Sequence, residues 1–136
     1  MYELTLNKRL NLPVTRAFSA WREPGVMQKW FAPGDMTVPE ADIDFRVGGS
    51  YRIVMQASDG QRHIVGGTYH EILDNERLRF SWQWEGSELT TEVELQFRGS
   101  GDQTEMTLIH REFPDTDTRD KHNQGWEGCL AKLAQL

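Results

Sequence analysis

No run in this chain approaches the roughly eighteen consecutive apolar residues of a membrane-crossing helix, and Met1-Tyr2-Glu3-Leu4-Thr5-Leu6 shows no basic region followed by an apolar one. Neither a membrane span nor a secretory signal is expected. Cysteine is nearly absent. Cys129 is the only one in 136 residues, which excludes an internal disulfide and a cysteine-based metal cluster and fits a reducing, cytoplasmic location. Positive charge is also scarce: 15 Lys and Arg stand against 21 Asp and Glu, giving a formal net charge of −6. That sign argues against a general nucleic-acid binder, which needs a positive surface to replace counterions on phosphate, and against an acidic partner. The phosphate-cradling G-x-x-x-x-G-K-[ST] and nucleophile-elbow G-x-S-x-G strings are missing, as are linkers, internal repeats and low-complexity segments.

What remains is the composition of an ordinary globular chain, 38% hydrophobic and 26% charged, and its length predicts one domain spanning residues 1–136. Five tryptophans are many for this length and point to large flat side chains lining a core or a cavity. The last stretch, Asp115 to Leu136, organises the rest. His122, Trp126, Cys129 and Leu130, Leu133, and Ala134 with Leu136 recur at spacings of three and four, the stripe of an amphipathic helix. Pro114, Asp115, Thr116, Asp117 and Asp120 supply capping oxygens and first-turn negative charge at its start.

Ahead of it, Tyr2 to Arg9 alternates as a strand with one buried side. Pro13 then opens a short helical pattern of Val14, Ala17, Phe18 and Trp21, and Glu23-Pro24-Gly25 separates it from a second one with Val26, Met27 and Trp30. From Thr37 onward strands and turns alternate: Thr37 to Phe45, Ser50 to Ala57, His63 to Leu73, Arg77 to Glu85, Glu88 to Arg98 and Gln103 to Arg111. Gly66-Gly67 inside the fourth strand suggests a bulge or a close backbone approach. The prediction is an α+β fold, a curved antiparallel sheet of about seven strands around the long C-terminal helix, with two short helices after the first strand. A sheet that wraps a helix without following its whole length leaves a cavity between them.

Several strings together resemble one family. They are Trp21 with Pro24 and Lys29-Trp30-Phe31-Ala32-Pro33; Asp44-Phe45-Arg46-Val47-Gly48-Gly49-Ser50-Tyr51; Gly67-Thr68-Tyr69-His70-Glu71-Ile72; Arg77-Leu78; Thr107-Leu108-Ile109-His110; and His122 with Gly125-Trp126 and Leu130. The chain resembles the branch of the START-like, helix-grip (SRPBCC) superfamily named after the activator of the ninety-kilodalton heat shock chaperone's ATPase. This implies a helix-grip fold with a hydrophobic cavity. Relatives in the superfamily bind lipids, hormones or polyketides, and a few are cyclases or hydrolases. The eukaryotic activator carries a separate chaperone-binding domain before this module, a segment this sequence does not show, so a chaperone partner has no support in the sequence.

Tyr51, Trp82, Trp84, Met106, His110 and Trp126 are the expected ligand-binding residues, since aromatic rings and thioethers offer flat, polarisable surfaces to apolar ligands. His110, two residues along its strand from Leu108, points inward and is read either as an acid/base or as a hydrogen-bonded core histidine. His122 carries the same two readings. Arg46 reads as an anion clamp or as the ion-pair partner of Asp44. No metal, no cofactor and no catalytic residue is assigned, because two histidines without a short ligand spacing do not make a metal site. The expected function is binding of a small hydrophobic or amphipathic ligand. An enzyme of the cyclase or hydrolase kind and a protein-interaction module are the alternatives.

Overall fold

The computed structural model describes all 136 residues, Met1–Leu136. Strand β1 (Tyr2–Leu10) is followed by the short helices α1 (Val14–Ser19) and α2 (Pro24–Met27), then by six strands and a helix. The strands are β2 (Thr37–Ile43), β3 (Ser50–Gln56), β4 (Arg62–Leu73), β5 (Arg77–Trp84), β6 (Thr91–Ser100) and β7 (Gln103–Phe113), and the helix is α3 (Thr116–Leu133). They form one antiparallel sheet in the order β1-β7-β6-β5-β4-β3-β2. The α+β, helix-grip architecture read from the sequence is therefore the one observed.

Alternation explains the strands. In β5, Leu78, Phe80 and Trp82 are buried while the residues between them are partly exposed, and Val93, Leu95 and Phe97 of β6 face the same side. The opposite face is held by cross-strand charge. Arg77 and Arg79 meet Glu71, Arg79 also reaches Glu92, and Arg111 donates to Glu94 at 2.8 Å. β6 starts later than the alternation suggests, because the Ser87 hydroxyl accepts from the Leu89 amide at 3.1 Å and holds Glu88 to Thr90 in a loop. Trp21 and Trp30, expected on the two short helices, lie just beyond them and are fully buried there. Trp30 Nε1 donates to the Ala20 carbonyl at 3.1 Å, stapling the end of one helix to the end of the next.

Two glycine pairs stand where backbones meet closely or turn. A Cβ on Gly67 would collide with the Ser81 backbone, so β4 presses against β5 there, and the register of the two strands shifts a few residues later, between Tyr69 and Glu71. Gly48, at φ 84°, turns the chain from β2 into β3, and a Cβ on Gly49 would strike the Asp44 carbonyl. Beside that turn Arg46 pairs with Asp44 at 2.9 Å.

Helix α3 begins as its sequence dictates, with the Asp115 carboxylate accepting from the Thr118 amide at 2.7 Å. Its 18 residues make a rod of about 27 Å. It buries Trp126, Cys129, Leu130 and Leu133, and its backbone comes closest to β1 and β7. The segment after α2 docks on its second half, where Gly128 lets Pro33 approach and Lys132 donates to the Met36 carbonyl at 3.3 Å. Because β1 and β2 are the two edges of the sheet, the α1–α2 segment joining them spans its concave side.

The two helix glycines predict opposite outcomes. A Cβ on Gly128 would sit 2.9 Å from Pro33 Cβ and 3.1 Å from its Cα. Gly128→Ala should therefore destabilise by about 1–2 kcal/mol, overpacking against a rigid ring outweighing the helix propensity gained. A Cβ on Gly125 meets nothing within 4 Å, so Gly125→Ala should stabilise by about 0.5–1 kcal/mol. Urea unfolding of the two variants measures both.

Candidate functional site

Between α3, the β3–β5 part of the sheet and the segment after α2 lies a cavity of about 440 Å³. Its floor is Phe31, Met55, Trp82, Trp126 and Cys129, all buried. Pro33, Met36, Trp84, His122 and Gly125 form half-buried walls, and the exposed His63 and Lys121 stand at the rim. The rings of the floor and of the Trp84 wall pack in tilted and edge-to-face pairs: Trp82 and Trp126 at 5.0 Å, Phe31 and Trp126 at 5.7 Å, Trp82 and Trp84 at 5.5 Å.

Of the residues singled out from the sequence, Trp82, Trp84 and Trp126 line this cavity. Tyr51 does not. It shares the inward face of β3 with Met55 but lies at the other end, where its hydroxyl donates to the Ser81 carbonyl at 2.6 Å and its ring packs on Phe80. Burial raises the Tyr51 phenol well above its ordinary value, so it is a neutral donor there. Met106 is fully buried on β7, opposite Lys8 and Phe97, away from the cavity. Arg46 and its double glycine do not line it either.

His110 sits behind the cavity wall and connects the two layers. Trp126 Nε1–H on α3 donates to His110 Nδ1 at 3.0 Å, leaving the ring proton on Nε2, which faces the Thr91 hydroxyl at 2.7 Å. That hydroxyl in turn donates to the Trp82 carbonyl at 3.3 Å. The mirror arrangement occurs on the helix side. Trp84 Nε1–H on β5 donates to His122 Nε2 at 3.0 Å, and His122 Nδ1–H donates to the Thr118 carbonyl at 2.8 Å. The two imidazoles stand 5.4 Å apart with every ring nitrogen engaged, so neither offers a lone pair to a metal or a reacting group.

Residues outside the expected ligand-binding set complete the site. His122 and Cys129 belong to the helix stripe read from the sequence, and Lys121 and Gly125 stand one residue before His122 and Trp126 on the same helix, at a spacing of four that the stripe implies. Met55 follows from Tyr51 by alternation. Phe31, Pro33, Met36 and His63 carry no periodic signal toward the cavity. Burial lifts the Cys129 thiol to about 12, which leaves it a protonated wall group.

Burial pushes His110 well below its ordinary value, with the nearby His122 adding to the effect. Burial lowers His122 as well, opposed by its bond to Thr118. An unfolded chain takes up these protons near pH 6.5, so the stability contributed by the neutral rings is complete above that pH and is lost as pH falls below it. The carboxylates act later. Burial raises the Glu94 carboxyl, but hydrogen bonds from Gln96 and Arg111 outweigh it and hold the group low, while the Thr118 amide holds Asp115 low. Their contributions disappear only through the acidic carboxylate range. Urea unfolding at about pH 7.5 and about pH 5.5 should show lower stability at the acidic value, with His110 contributing about 1.4 kcal/mol per pH unit below its unfolded pKa. Equal stability at the two values would mean that the rings are not held neutral.

Among curated proteins, none matches the chain. Solved structures do. A protein from Chromobacterium violaceum superposes with a TM-score of 0.90 at 25% identity, covering 98% of this chain and 94% of the other. The AHSA1 protein from Silicibacter pomeroyi gives 0.88 at 26% identity, covering 98% and 96%. CalU16 from Micromonospora echinospora gives 0.74 at 27% identity, covering 98% and 74%. No helix of the chain is long and apolar enough to cross a membrane. The model of the family described as activator of Hsp90 ATPase homolog 1-like protein matches residues 11–136, and the chain belongs to that family, within the START-like, helix-grip superfamily.

Proposed function

We propose that the chain binds a small hydrophobic or amphipathic molecule, with a lipid-like or aromatic body, between α3 and the sheet. The observation that carries this reading is the aromatic-floored cavity of about 440 Å³, within the roughly 300–1,000 Å³ typical of small-molecule sites. Trp82, Trp84 and Trp126 are its ligand-contacting walls. Their rings favour stacked or edge-on contact with apolar groups, and covering them removes apolar surface from water. Tyr51 and Met106 act through the packed core. His110 is a positioning residue, holding Trp126 by its Nδ1. As the acid/base of a cyclase or hydrolase it would have to release both bonds and lose its shielding by Trp126.

Gly125 separates ligand binding from folding. It lines the cavity, and a Cβ there meets nothing within 4 Å. Leucine at this position enters through that open space and occupies cavity volume from the helix. Non-denaturing mass spectrometry of wild type incubated with an organic cell extract should show a small-molecule adduct that denaturation releases. Gly125→Leu, with an unchanged circular dichroism spectrum, should show none. Equal adducts on both proteins would place the ligand elsewhere, and no adduct on wild type would count against the cavity as a ligand site.

A further inference from the structure

The twelve residues around the cavity include no Asp, Glu, Asn, Gln, Ser, Thr or Tyr. Their side-chain polar groups are the Lys121 ammonium, the imidazoles of His63 and His122, the Cys129 thiol and the indole N–H groups of Trp82, Trp84 and Trp126. Four of these are spent or inert. Trp84 donates to His122, Trp126 donates to His110, both nitrogens of His122 are engaged, and the Cys129 thiol stays protonated. Three remain: Lys121, His63 and Trp82. Trp82 is 5% exposed, and its indole N–H has no acceptor anywhere in the chain. A buried donor without an acceptor is costly and stands out in a structure whose other polar side chains are almost all paired.

Each unspent group can thus donate, only His63 can also accept, and the one full charge among them is positive. It stands at the rim, while the floor is apolar and aromatic. Resting on the proposed use of the cavity as a ligand site, the geometry points to a specific ligand class. We infer that the ligand is an amphipathic organic carboxylate, its apolar body on Phe31, Trp82 and Trp126 and its carboxylate at the rim on Lys121 beside His63. The net charge of −6 describes the outer surface and does not oppose this, since no acidic side chain lines the cavity. Lys121 is available. Its only ion pair is to Asp117 Oδ2 at 3.2 Å, one turn earlier on the same helix, and the two side chains are 75% and 81% exposed. Such a solvated pair gives way to a carboxylate whose own body is anchored in the cavity.

The test compares two probes of one shape, 2-naphthoate and its neutral amide 2-naphthamide, titrated by quenching of tryptophan fluorescence. Wild type should bind 2-naphthoate about tenfold more tightly than the amide, as one charge-assisted contact would give. Lys121→Gln should remove most of that preference and leave the affinity for 2-naphthamide unchanged. Gly125→Leu should abolish binding of both, which locates them in the cavity. Competition by decanoate rather than by indole-3-acetate would identify the natural body as an acyl chain, and the reverse as an aromatic ring. Either keeps the carboxylate. Equal affinity of wild type for the two probes, or an unchanged preference in Lys121→Gln, would overturn the carboxylate while leaving the cavity as a site for neutral ligands. Binding of both probes that survives in Gly125→Leu would overturn the cavity reading itself. Binding of neither probe to wild type would overturn the carboxylate inference.

Discussion

Two indole-to-imidazole hydrogen bonds, running in opposite directions, fix where the C-terminal helix lies. Trp126 on the helix donates to His110 on the sheet, and Trp84 on the sheet donates to His122 on the helix. Each histidine passes its remaining proton onward, to the Thr91 hydroxyl and to the Thr118 carbonyl. A helix held by apolar contact alone can slide, because burial has no direction. Directional bonds between large flat groups specify both the distance and the rotation, and in a buried setting they are expensive to leave unmade. Burial keeps both rings neutral, and only the neutral ring can accept from one indole while donating elsewhere.

From this constraint the cavity follows. Spacers as large as Trp82, Trp84 and Trp126 hold the helix off β3 to β5, while its backbone approaches β1 and β7 more closely. The gap is then sealed along one side by the segment after α2, drawn in at Gly128 and Lys132. Gly125, one turn earlier, leaves open the volume that a side chain there would occupy. Two glycines three residues apart on one helix therefore do opposite things: one permits contact and the other preserves space. The Asp44 to Tyr51 string, so prominent in the sequence, serves the sheet. Its glycines turn the chain, and its arginine pairs with its own aspartate in solvent.

The sheet, the helix and their order were legible because strands and helices announce themselves by period, and the turns by glycine. The cavity was legible in part. Alternation tells which face of a strand looks inward but not which end of that face the helix leaves uncovered. Tyr51 and Met55 share a face, yet only Met55, next to His63 across the β3–β4 ladder, borders the open end. Met106 and His110 share the inward face of β7 and are hidden from the cavity, His110 because Trp126 lies over it. Phe31, Pro33 and Met36 were out of reach, since an irregular segment has no period and its position depends on Gly128, almost a hundred residues later in the chain. The imidazole roles were illegible for a different reason. A histidine's tautomer is set by what faces each nitrogen, and that is known only once the two layers are brought together.

The most direct test of the two-way lock is the protonation of those rings in solution, read by long-range proton–nitrogen NMR of the histidine side chains at neutral pH. The account predicts two neutral rings of opposite tautomer: His110 with its proton on Nε2 and His122 with its proton on Nδ1. An imidazolium at either position, or the same tautomer at both, would mean that at least one indole lacks its acceptor and that something else holds the helix over the cavity.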